Sequence, residues 1–441
     1  MKRSFISLLA ALFMIVQSIV PVFAVELNAD DKVQADVQSR GTYENFEYEI
    51  SEEKVTIIGC VKSLEGELTV PESIEGYPVT RIGEKAFASC RYLTKVNTSN
   101  VLEIGEYAFM QCEAISSVNM PKVHKICRGA FTYCNSLRSV NMPKVIDVGA
   151  SVFASCTNLV NINMPNVEKV TGNSFIDTQW YANLTDEFAI FGDGVLVKYS
   201  GSDDRVTVPE TVKFVAGFYG NADITRVNMP SVQAIGDYGF YKCAALRRAD
   251  MPEVTEIGTG AFASCVALIR VNMAKVQTVG SVAFSRCELL ANIDLSSVRE
   301  IGANAFYSCA ALVVLEMENV QVIGENAFAL CDSLTNVDMG NVQEIGANAF
   351  SGCTDIISID MKNVQKIGDC AFEHCYLIKK LEMPLVEEIG ANAFAYCESL
   401  HSVNMPNIKK VAGNSFIYTT WYANLTDEFV VFGDGVLVKY C

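Results

Sequence analysis

The sequence contains very little histidine and tryptophan: His124, His374 and His401 are the only histidines, and there are two tryptophans among 441 residues. The three histidines stand at unrelated positions, so histidine-based catalysis and histidine-rich zinc sites have almost no residues to use. No short motif of a serine hydrolase, a phosphate-binding loop, a zinc protease or an EF-hand occurs. The sequence therefore predicts that the protein is not an enzyme and has no catalytic residue, metal site or cofactor.

Positive charge is also scarce. The chain has 34 Lys and Arg residues against 51 Asp and Glu residues, which gives a formal net charge of −17. A polyanionic protein repels the phosphate backbone, so we do not expect nucleic acid to be a partner. Half of the residues are hydrophobic, which is enough for a large core and excludes intrinsic disorder.

Long hydrophobic runs are absent after the first 24 residues. Lys2 and Arg3 precede an uncharged apolar run, and the small-x-small pattern typical of a cleavage site ends at Ala24. This arrangement predicts a secretory signal peptide over residues 1–24. An uncleaved membrane anchor is the alternative, although the run is short for a bilayer span of roughly 20 residues. We expect a mature chain without a transmembrane segment that is secreted or displayed at the cell surface.

A repeat of 22 residues fills the chain after about residue 80. Phenylalanine recurs at steps of 22 within two blocks, and a cysteine follows three residues later in most copies. The phenylalanine positions are Phe87, Phe109, Phe131, Phe153 and Phe175 in the first block, and Phe218, Phe240, Phe262, Phe284, Phe306, Phe328, Phe350, Phe372, Phe394 and Phe416 in the second. Such a strict period indicates a repeat architecture.

Each copy contains a short segment, such as Leu137 to Met142, whose inward and outward side chains alternate as in a strand. Stacking the copies would pair these strands in a parallel sheet with neighbours about 4.8 Å apart. One copy cannot bury its own apolar face, so the pattern predicts a repeat solenoid, mainly β with short turns, 3-10 or helical segments, of about fifteen units. Each Ile or Val is followed by a glycine that we expect to adopt φ > 0; these are Gly83, Gly105, Gly149, Gly236 and Gly258.

The run Ile301-Gly302-x-x-Ala305-Phe306-x-x-Cys309-x-x-Leu312 resembles the BspA-type, or Treponema-pallidum-type, leucine-rich repeat. The resemblance covers roughly residues 43–441 and implies a right-handed, curved leucine-rich-repeat stack. Members of this family are typically secreted or surface-displayed, and several are implicated in adhesion to host proteins such as fibronectin and fibrinogen. The resemblance therefore implies a binding or adhesion module for an extracellular protein or glycan. A structural envelope or spacer protein without a dedicated ligand is the alternative.

Two near-identical segments, residues 172–199 and 413–440, differ at only four positions. Each predicts a hairpin, and in the first copy its strands are residues 188–191 and 195–199, around a Gly-Asp-Gly turn. The predicted organisation is a signal peptide (1–24), an N-terminal entry or cap segment (25–80), a first repeat block (81–179), a hairpin-like interruption (180–212), a second repeat block (213–419) and a terminal hairpin-like cap (420–441).

Twelve of the sixteen cysteines occupy one repeat position and would stack as a single column. Two interpretations of this column remain open, buried thiols and disulfides between neighbouring repeats. Buried thiols are favoured because in-register β-carbons lie farther apart than the roughly 3.8 Å between the β-carbons of a disulfide. A single file of thiols does not converge on a metal ion. Small polar residues, Thr178, Asn221 and Thr419, replace the missing cysteines. Four cysteines outside the column are candidates for other pairings or for free thiols, namely Cys60, Cys127, Cys370 and Cys441.

One outward position in each predicted strand is polar, and it is acidic through most of the second block. Its acidic members are Asp250, Asp294, Glu316, Asp338, Asp360 and Glu382, and we interpret them as a ligand-binding strip for a basic partner or a divalent cation. One carboxylate per copy supplies the converging oxygens of a calcium site poorly. The alternative is a solvated face that prevents sheet aggregation.

The positions beside this strip vary along the second block. A basic group stands at its start, comprising Arg226, Arg247, Arg248 and Arg270, and apolar residues stand further along, at Val313, Val314 and Ile357. Variation on a constant scaffold is typical of a recognition surface, and drift on a solvated face would produce the same pattern.

Overall fold

The computed structural model describes residues 37–60, 64–426, 429–433 and 435–440. The predicted signal peptide and Cys441 lie outside these residues. Within the described part, the helices are two segments of four residues, Gln179–Ala182 and Thr420–Ala423. The remaining regular structure is β, and the chain forms a solenoid of about 16 turns of about 22 residues. The predicted fold class is confirmed.

Each full turn, which we call a rung, contributes a strand to a sheet that we name Sheet I and, except for the rung of residues 281–302, a parallel strand to a second sheet that we name Sheet II. Sheet I has two sections. The first contains Tyr77–Ile82, Glu103–Ile104, Lys125–Ile126, Asp147–Val148 and Lys169–Val170; the second contains Phe214–Val215, Ala234–Ile235, Glu256–Ile257, Thr278–Val279, Glu300–Ile301, Val322–Ile323, Glu344–Ile345, Lys366–Ile367, Glu388–Ile389 and Lys410–Val411. Its pairing steps by one repeat, so Ile126 pairs with Ile104 on one side and with Val148 on the other.

Sheet II has four sections. They are Glu65–Thr69, Tyr92–Asn97, Ser117–Asn119, Ser139–Asn141 and Asn161–Asn163; then Arg205–Thr207, Arg226–Asn228, Arg248–Asp250 and Arg270–Asn272; then Val314–Glu316, Asn336–Asp338 and Ser358–Asp360; and finally Lys380–Glu382 and Ser402–Asn404. The middle residue of each three-residue strand faces inward, and equivalent residues pair, as Val140 does with Val118 and Ile162. Every outward side chain therefore lies beside its counterpart from the next rung.

Antiparallel strands precede or follow the repeat blocks. They are Val37–Tyr43, Phe46–Ser51 and Lys54–Cys60 at the start, with Ser73–Ile74 beside Tyr77–Ile82; Phe188–Phe191 and Val195–Tyr199 in the middle; and Phe429–Phe432 and Val436–Tyr440 at the end. The middle pair occupies the residues predicted for it. The second strand of this pair, Val195–Tyr199, pairs in parallel with Phe214–Val215 and so forms the first strand to which the second block is hydrogen-bonded. Lys54–Cys60 pairs in the same way with Tyr77–Ile82.

The core consists of two columns of stacked side chains, one in each repeat block. The repeat phenylalanines are buried, and successive rings such as Phe109 and Phe131 stack with centroids 5.1 Å apart and an interplanar angle of 2°. The middle hairpin joins two parts of this core. Val195 and Val197 pack into the core of the first block, whereas Leu196 and Tyr199 pack into the core of the second.

The prediction of φ > 0 for the repeat glycines is wrong. The predicted glycines, Gly83, Gly105, Gly149, Gly236 and Gly258, are not among the residues with positive φ. Their role is close approach: a β-carbon on Gly105 would lie 2.7 Å from the carbonyl carbon of Gly83 in the preceding rung. The left-handed residues stand two positions later, as at Lys85 and Tyr107 with φ of 54°. Glycine is thus required by the distance between rungs and not by the turn.

Candidate functional site

The cysteine column consists of buried thiols that link neighbouring rungs. In eleven copies, the cysteine Sγ donates a hydrogen bond to the carbonyl oxygen of the phenylalanine 25 residues earlier, at 3.0–3.3 Å. Burial raises the pKa of Cys112 and of Cys309 to about 12. Cys112 and Cys309 are therefore neutral thiols that can donate at neutral pH. The prediction of buried thiols is confirmed, although each thiol bridges two rungs and does not only serve its own turn.

The polar replacements in this column satisfy backbone groups as expected. Thr178 accepts a hydrogen bond from the Tyr181 backbone amide at 3.0 Å, and Thr419 accepts one from the Tyr422 amide at 3.0 Å. Asn221 accepts hydrogen bonds from two following amides, each at 3.0 Å. The two threonines cap the short helices, so the column changes residue type where the rung changes its structure.

Two of the cysteines outside the column have polar neighbours. The Sγ atoms of Cys60 and Cys90 lie 3.2 Å apart, which places the entry segment against the first cysteine of the column. Cys127 Sγ donates to Glu103 at 3.4 Å. Nowhere in the described ranges do three His, Cys, Asp or Glu side chains come together as a metal site.

The outward face of Sheet II in the first block carries an amide ladder. Asn141 donates through Nδ2 to Asn119 Oδ1 at 2.6 Å, and Asn163 donates to Asn141 Oδ1 at 2.6 Å. An amide both donates and accepts, so identical side chains pair with one another along the stack. This part of the face satisfies itself and is neutral.

The second block begins with four arginines in register. Arg205 pairs with Arg226, Arg226 with Arg248, and Arg248 with Arg270 on neighbouring strands. Sequence reasoning grouped three of these with Arg247 and missed Arg205. Arg205 stands 21 residues before Arg226 and not 22, because the chain re-enters the solenoid from the hairpin. The 22-residue period therefore does not place Arg205 at the same repeat position as the other arginines.

Asp250 does not present a free carboxylate, contrary to its place in the predicted strip. Only 8% of the Asp250 surface is exposed to solvent. Arg226 Nη2 lies 3.0 Å from Asp250 Oδ2, and Arg248 Nη2 lies 2.8 Å from Oδ1. Burial opposes ionisation, but the hydrogen bonds from Arg248 and Arg226 lower the pKa of Asp250 overall. The two long arginine side chains cover this outward position, which the alternation of residues could not reveal.

The other five acidic residues of the strip are exposed. Glu316, Asp338 and Asp360 lie side by side, in register on three neighbouring strands. Glu382 follows on the next section of Sheet II, where it pairs with Asn404. Asp294 stands on a rung without a Sheet II strand, between the arginines and the other acids. The structure therefore brings three of the six predicted residues into direct proximity.

Several of these carboxylates also have local partners. Asp294 accepts from Ser296 N at 3.0 Å, Asp338 from Gly340 N at 2.9 Å and Asp360 from Lys362 N at 3.1 Å. Lys362 Nζ lies 3.1 Å from Asp360, and Lys380 Nζ lies 2.6 Å from Glu382. Glu382 consequently has a lowered pKa, caused first by the hydrogen bond from Lys380. The negative charge is least compensated around Glu316 and Asp338.

Exposed apolar side chains border the charged residues. Ile269 is 45% exposed beside the arginines, and Ile357 is 51% exposed beside Asp360. Val313 and Val314 are also exposed, next to Glu316. The outward face of the second block therefore combines a basic group, on one section of Sheet II, with an acidic group and apolar contacts on the next section.

The family description "BspA type Leucine rich repeat region" matches residues 67–181, 215–318 and 299–422, in six copies. These matches cover more than half of the sequence. The chain belongs to the BspA-type leucine-rich repeat family. Among the described residues, no helix has the length and hydrophobicity that a bilayer span requires.

Solved structures of bacterial leucine-rich repeat proteins are similar to this BspA-type chain. A leucine-rich repeat protein from Bacteroides ovatus is 23% identical with a TM-score of 0.46, and the match covers 86% of this chain and 92% of that one. A leucine-rich cell surface protein from Faecalibacterium prausnitzii is 20% identical with a TM-score of 0.31, covering 84% and 95%. The T. pallidum leucine-rich repeat protein is 21% identical with a TM-score of 0.28, covering 58% and 92%. No curated protein sequence matches the chain significantly.

Proposed function

We propose that this protein is a secreted or cell-surface adhesion module that binds an extracellular host or matrix protein through the outward Sheet II face of its second block. The predicted signal peptide supports export. The observation that carries the proposal is the contrast between the two sides of each strand. The inward residues repeat, whereas the outward residues change from arginine to acid and apolar residue on the same scaffold.

Within this face, the acidic strip is the part that we assign to a basic region of the partner. Glu316, Asp338 and Asp360 repel one another at the strand spacing of about 4.8 Å. A partner that brings lysine or arginine relieves this repulsion, while Val314 and Ile357 supply apolar area at the same place. Complementary charge of this kind contributes mainly specificity and association rate.

The experiment is a pull-down with the mature chain, residues 25–441, against a panel of immobilised extracellular proteins. The test variant is the triple substitution Glu316→Gln, Asp338→Asn and Asp360→Asn, which removes charge but keeps an acceptor oxygen for each turn. The matched control removes the same charge from Sheet I of the same block and is Glu300→Gln, Glu344→Gln and Glu388→Gln. We expect saturable retention at low salt that the test variant weakens and the control does not. If the test variant and the control variant are retained equally, the acidic strip is not part of the binding face.

The alternative is a structural spacer of the cell envelope. It is favoured by one observation: Asp294, Asp338 and Asp360 each accept a hydrogen bond from the backbone of their own turn. A spacer would show no saturable partner in the same panel. Under that alternative the test variant would change retention no more than the control does.

A further inference from the structure

Four arginines, Arg205, Arg226, Arg248 and Arg270, form what we call the arginine ladder. They occupy the first position of four neighbouring Sheet II strands and pair in register. Arg205, Arg226 and Arg270 are exposed, and Arg248 is half-buried. Parallel strands lie about 4.8 Å apart, so the ladder is about 14 Å long.

The charge of the ladder is only partly compensated within the described residues. Asp250 forms ion pairs with Arg226 and Arg248, and no ion pair is formed there by Arg205 or Arg270. The neighbouring Asp204 carboxylate accepts a hydrogen bond from Thr225 at 3.0 Å. Among the described residues, Asp250 is the one carboxylate that forms ion pairs with these arginines, so three of the four positive charges have no ion-paired counter-charge, on a protein whose net charge is −17.

The scaffold itself does not require arginine at this position. The equivalent strand residue is neutral in several other rungs, as at Ser117, Ser139, Asn161 and Ser358, although it is lysine at Lys95 and Lys380. Like charges directly opposite each other on neighbouring strands are destabilising. A stack of arginines is therefore unfavourable for the isolated chain and favourable once an anionic partner covers it.

Asp250 holds the centre of the ladder in a fixed arrangement. Arg248 Nε lies 2.8 Å and 2.9 Å from the two carboxylate oxygens, and Arg226 approaches from the next rung. A guanidinium group has five N–H donors, so donors remain for a ligand after these contacts. Because the side chains are already ordered, binding loses less conformational entropy. The planar fork suits carboxylate groups.

We propose that the arginine ladder binds an extended acidic polypeptide segment that carries carboxylates at alternate residues, i, i+2 and i+4. An extended chain places alternate side chains about 6.7 Å apart, so three carboxylates span about 13 Å, close to the length of the ladder. Three carboxylates also match the three uncompensated positive charges. Ile269, beside Arg270, contributes an exposed apolar contact. This assignment rests on the proposed function and names the chemistry of one part of the partner.

The test measures binding of a fluorescent peptide with three glutamates at alternate positions, by anisotropy at low salt, to the mature chain. A peptide with glutamine at the same positions is the ligand control. The first variant, Arg205→Gln with Arg270→Gln, removes the two arginines that do not contact Asp250. Its matched control is Arg286→Gln with Arg299→Gln, which removes equal charge outside the ladder. We expect the first variant to weaken the dissociation constant about tenfold or more, as for lost charge-assisted hydrogen bonds, and the control to leave it unchanged.

A second variant removes the centre of the ladder together with its counter-charge, Arg226→Gln, Arg248→Gln and Asp250→Asn, so that no buried carboxylate is left unpaired. With its fold verified by thermal melting, it should also lose peptide binding. Three binding results would overturn the assignment. They are equal binding of the glutamine and glutamate peptides, unchanged affinity for the glutamate peptide in both ladder variants, and tighter binding of a sulfated polysaccharide than of the acidic peptide. Ladder-dependent self-association in sedimentation velocity would also overturn it, since the occupant would then be a second copy.

Failure of this assignment can be distinguished from failure of the proposed function. In one outcome, the glutamate peptide binds the ladder variants as well as it binds the wild type, while the acidic-strip variant still loses retention on the protein panel. That result contradicts only the ladder assignment. Ladder-dependent peptide binding supports the assignment even where the panel retains nothing.

Discussion

The two repeat blocks have the same interior and different outward faces. Both bury the same stack of phenylalanine, cysteine and branched aliphatic residues. On Sheet II, the first block has asparagines that bond to one another, whereas the second block has arginines followed by acids. The comparison teaches that stacking dictates the inward residues, while the outward residues can differ without changing the scaffold.

The chemistry of the side chains explains why the two faces behave differently. An asparagine amide donates and accepts, so a column of asparagines is satisfied internally. A carboxylate only accepts, and a column of carboxylates needs donors from elsewhere. Asp338 takes one from Gly340, and Asp360 takes one from Lys362. The charged face of the second block thus remains open to a partner in a way that the amide ladder does not.

The largest expected effect tests the shared interior. Phe131→Ala in the first block and Phe306→Ala in the second each remove a fully buried ring that stacks on both neighbours. We expect each substitution to lower the free energy of unfolding by about 3–5 kcal/mol, measured by urea denaturation. Clearly unequal losses would contradict the claim that the two blocks have equivalent cores.

The next effect is alkaline destabilisation, which should also be common to both blocks. Burial raises the pKa of Cys112 and Cys309 to about 12, from an ordinary value of 9.0. A raised pKa favours the protonated thiol in the folded state, so its stabilisation is complete below pH 9 and is lost as pH rises through about 12. Thermal melting between pH 8 and pH 11 should show falling stability. Cys112→Ala and Cys309→Ala should each make this fall less steep.

A smaller effect separates the two faces. Asp250→Asn in the second block replaces the ion pairs with Arg226 and Arg248 by hydrogen bonds to a neutral amide, and we expect a loss of about 1–3 kcal/mol at neutral pH. The lowered pKa means that this stabilisation is present above the ordinary value of 3.8 and disappears as pH falls through the lowered one. The variant should therefore show less acid destabilisation than the wild type. Parallel acid-unfolding curves would contradict the role of the ion pairs.

The smallest effects should have opposite signs in the two blocks. Asn141→Ala breaks two amide hydrogen bonds and should lower the free energy of unfolding by about 0.5–1 kcal/mol. Asp338→Asn keeps an acceptor for Gly340 but removes repulsion from Glu316 and Asp360, so it should raise stability by about 0.2–1 kcal/mol. Both changes can be measured by urea denaturation at low salt. Added salt should reduce only the second effect.

Much of this fold could be predicted from the sequence because every rung must bury the same face against its neighbours. The period and the phenylalanine stack follow from that requirement, and the hairpin strands at residues 188–199 follow from their Gly-Asp-Gly turn. The reason for each glycine could not be predicted, since a sequence shows where glycine stands but not how closely Gly83 and Gly105 approach. Sequence alternation placed Asp250 outward, but only coordinates reveal that arginines from two rungs cover it.

The amide ladder of the first block could not be foreseen for a related reason. In the sequence, Asn119 and Asn141 occupy the same outward polar position of the repeat as Asp338 and Asp360. Their different behaviour depends on whether neighbouring side chains can donate to one another at the strand spacing. The binding role of the second block likewise depends on partners that no sequence pattern names.

The most direct test of the central claim is hydrogen-exchange mass spectrometry of the mature chain with and without a protein that it retains. We predict that added protection is confined to Sheet II of the second block, over the strands from Arg205–Thr207 to Lys380–Glu382. Protection confined to the first block or to Sheet I would contradict the claim that the charged face of the second block is the binding surface.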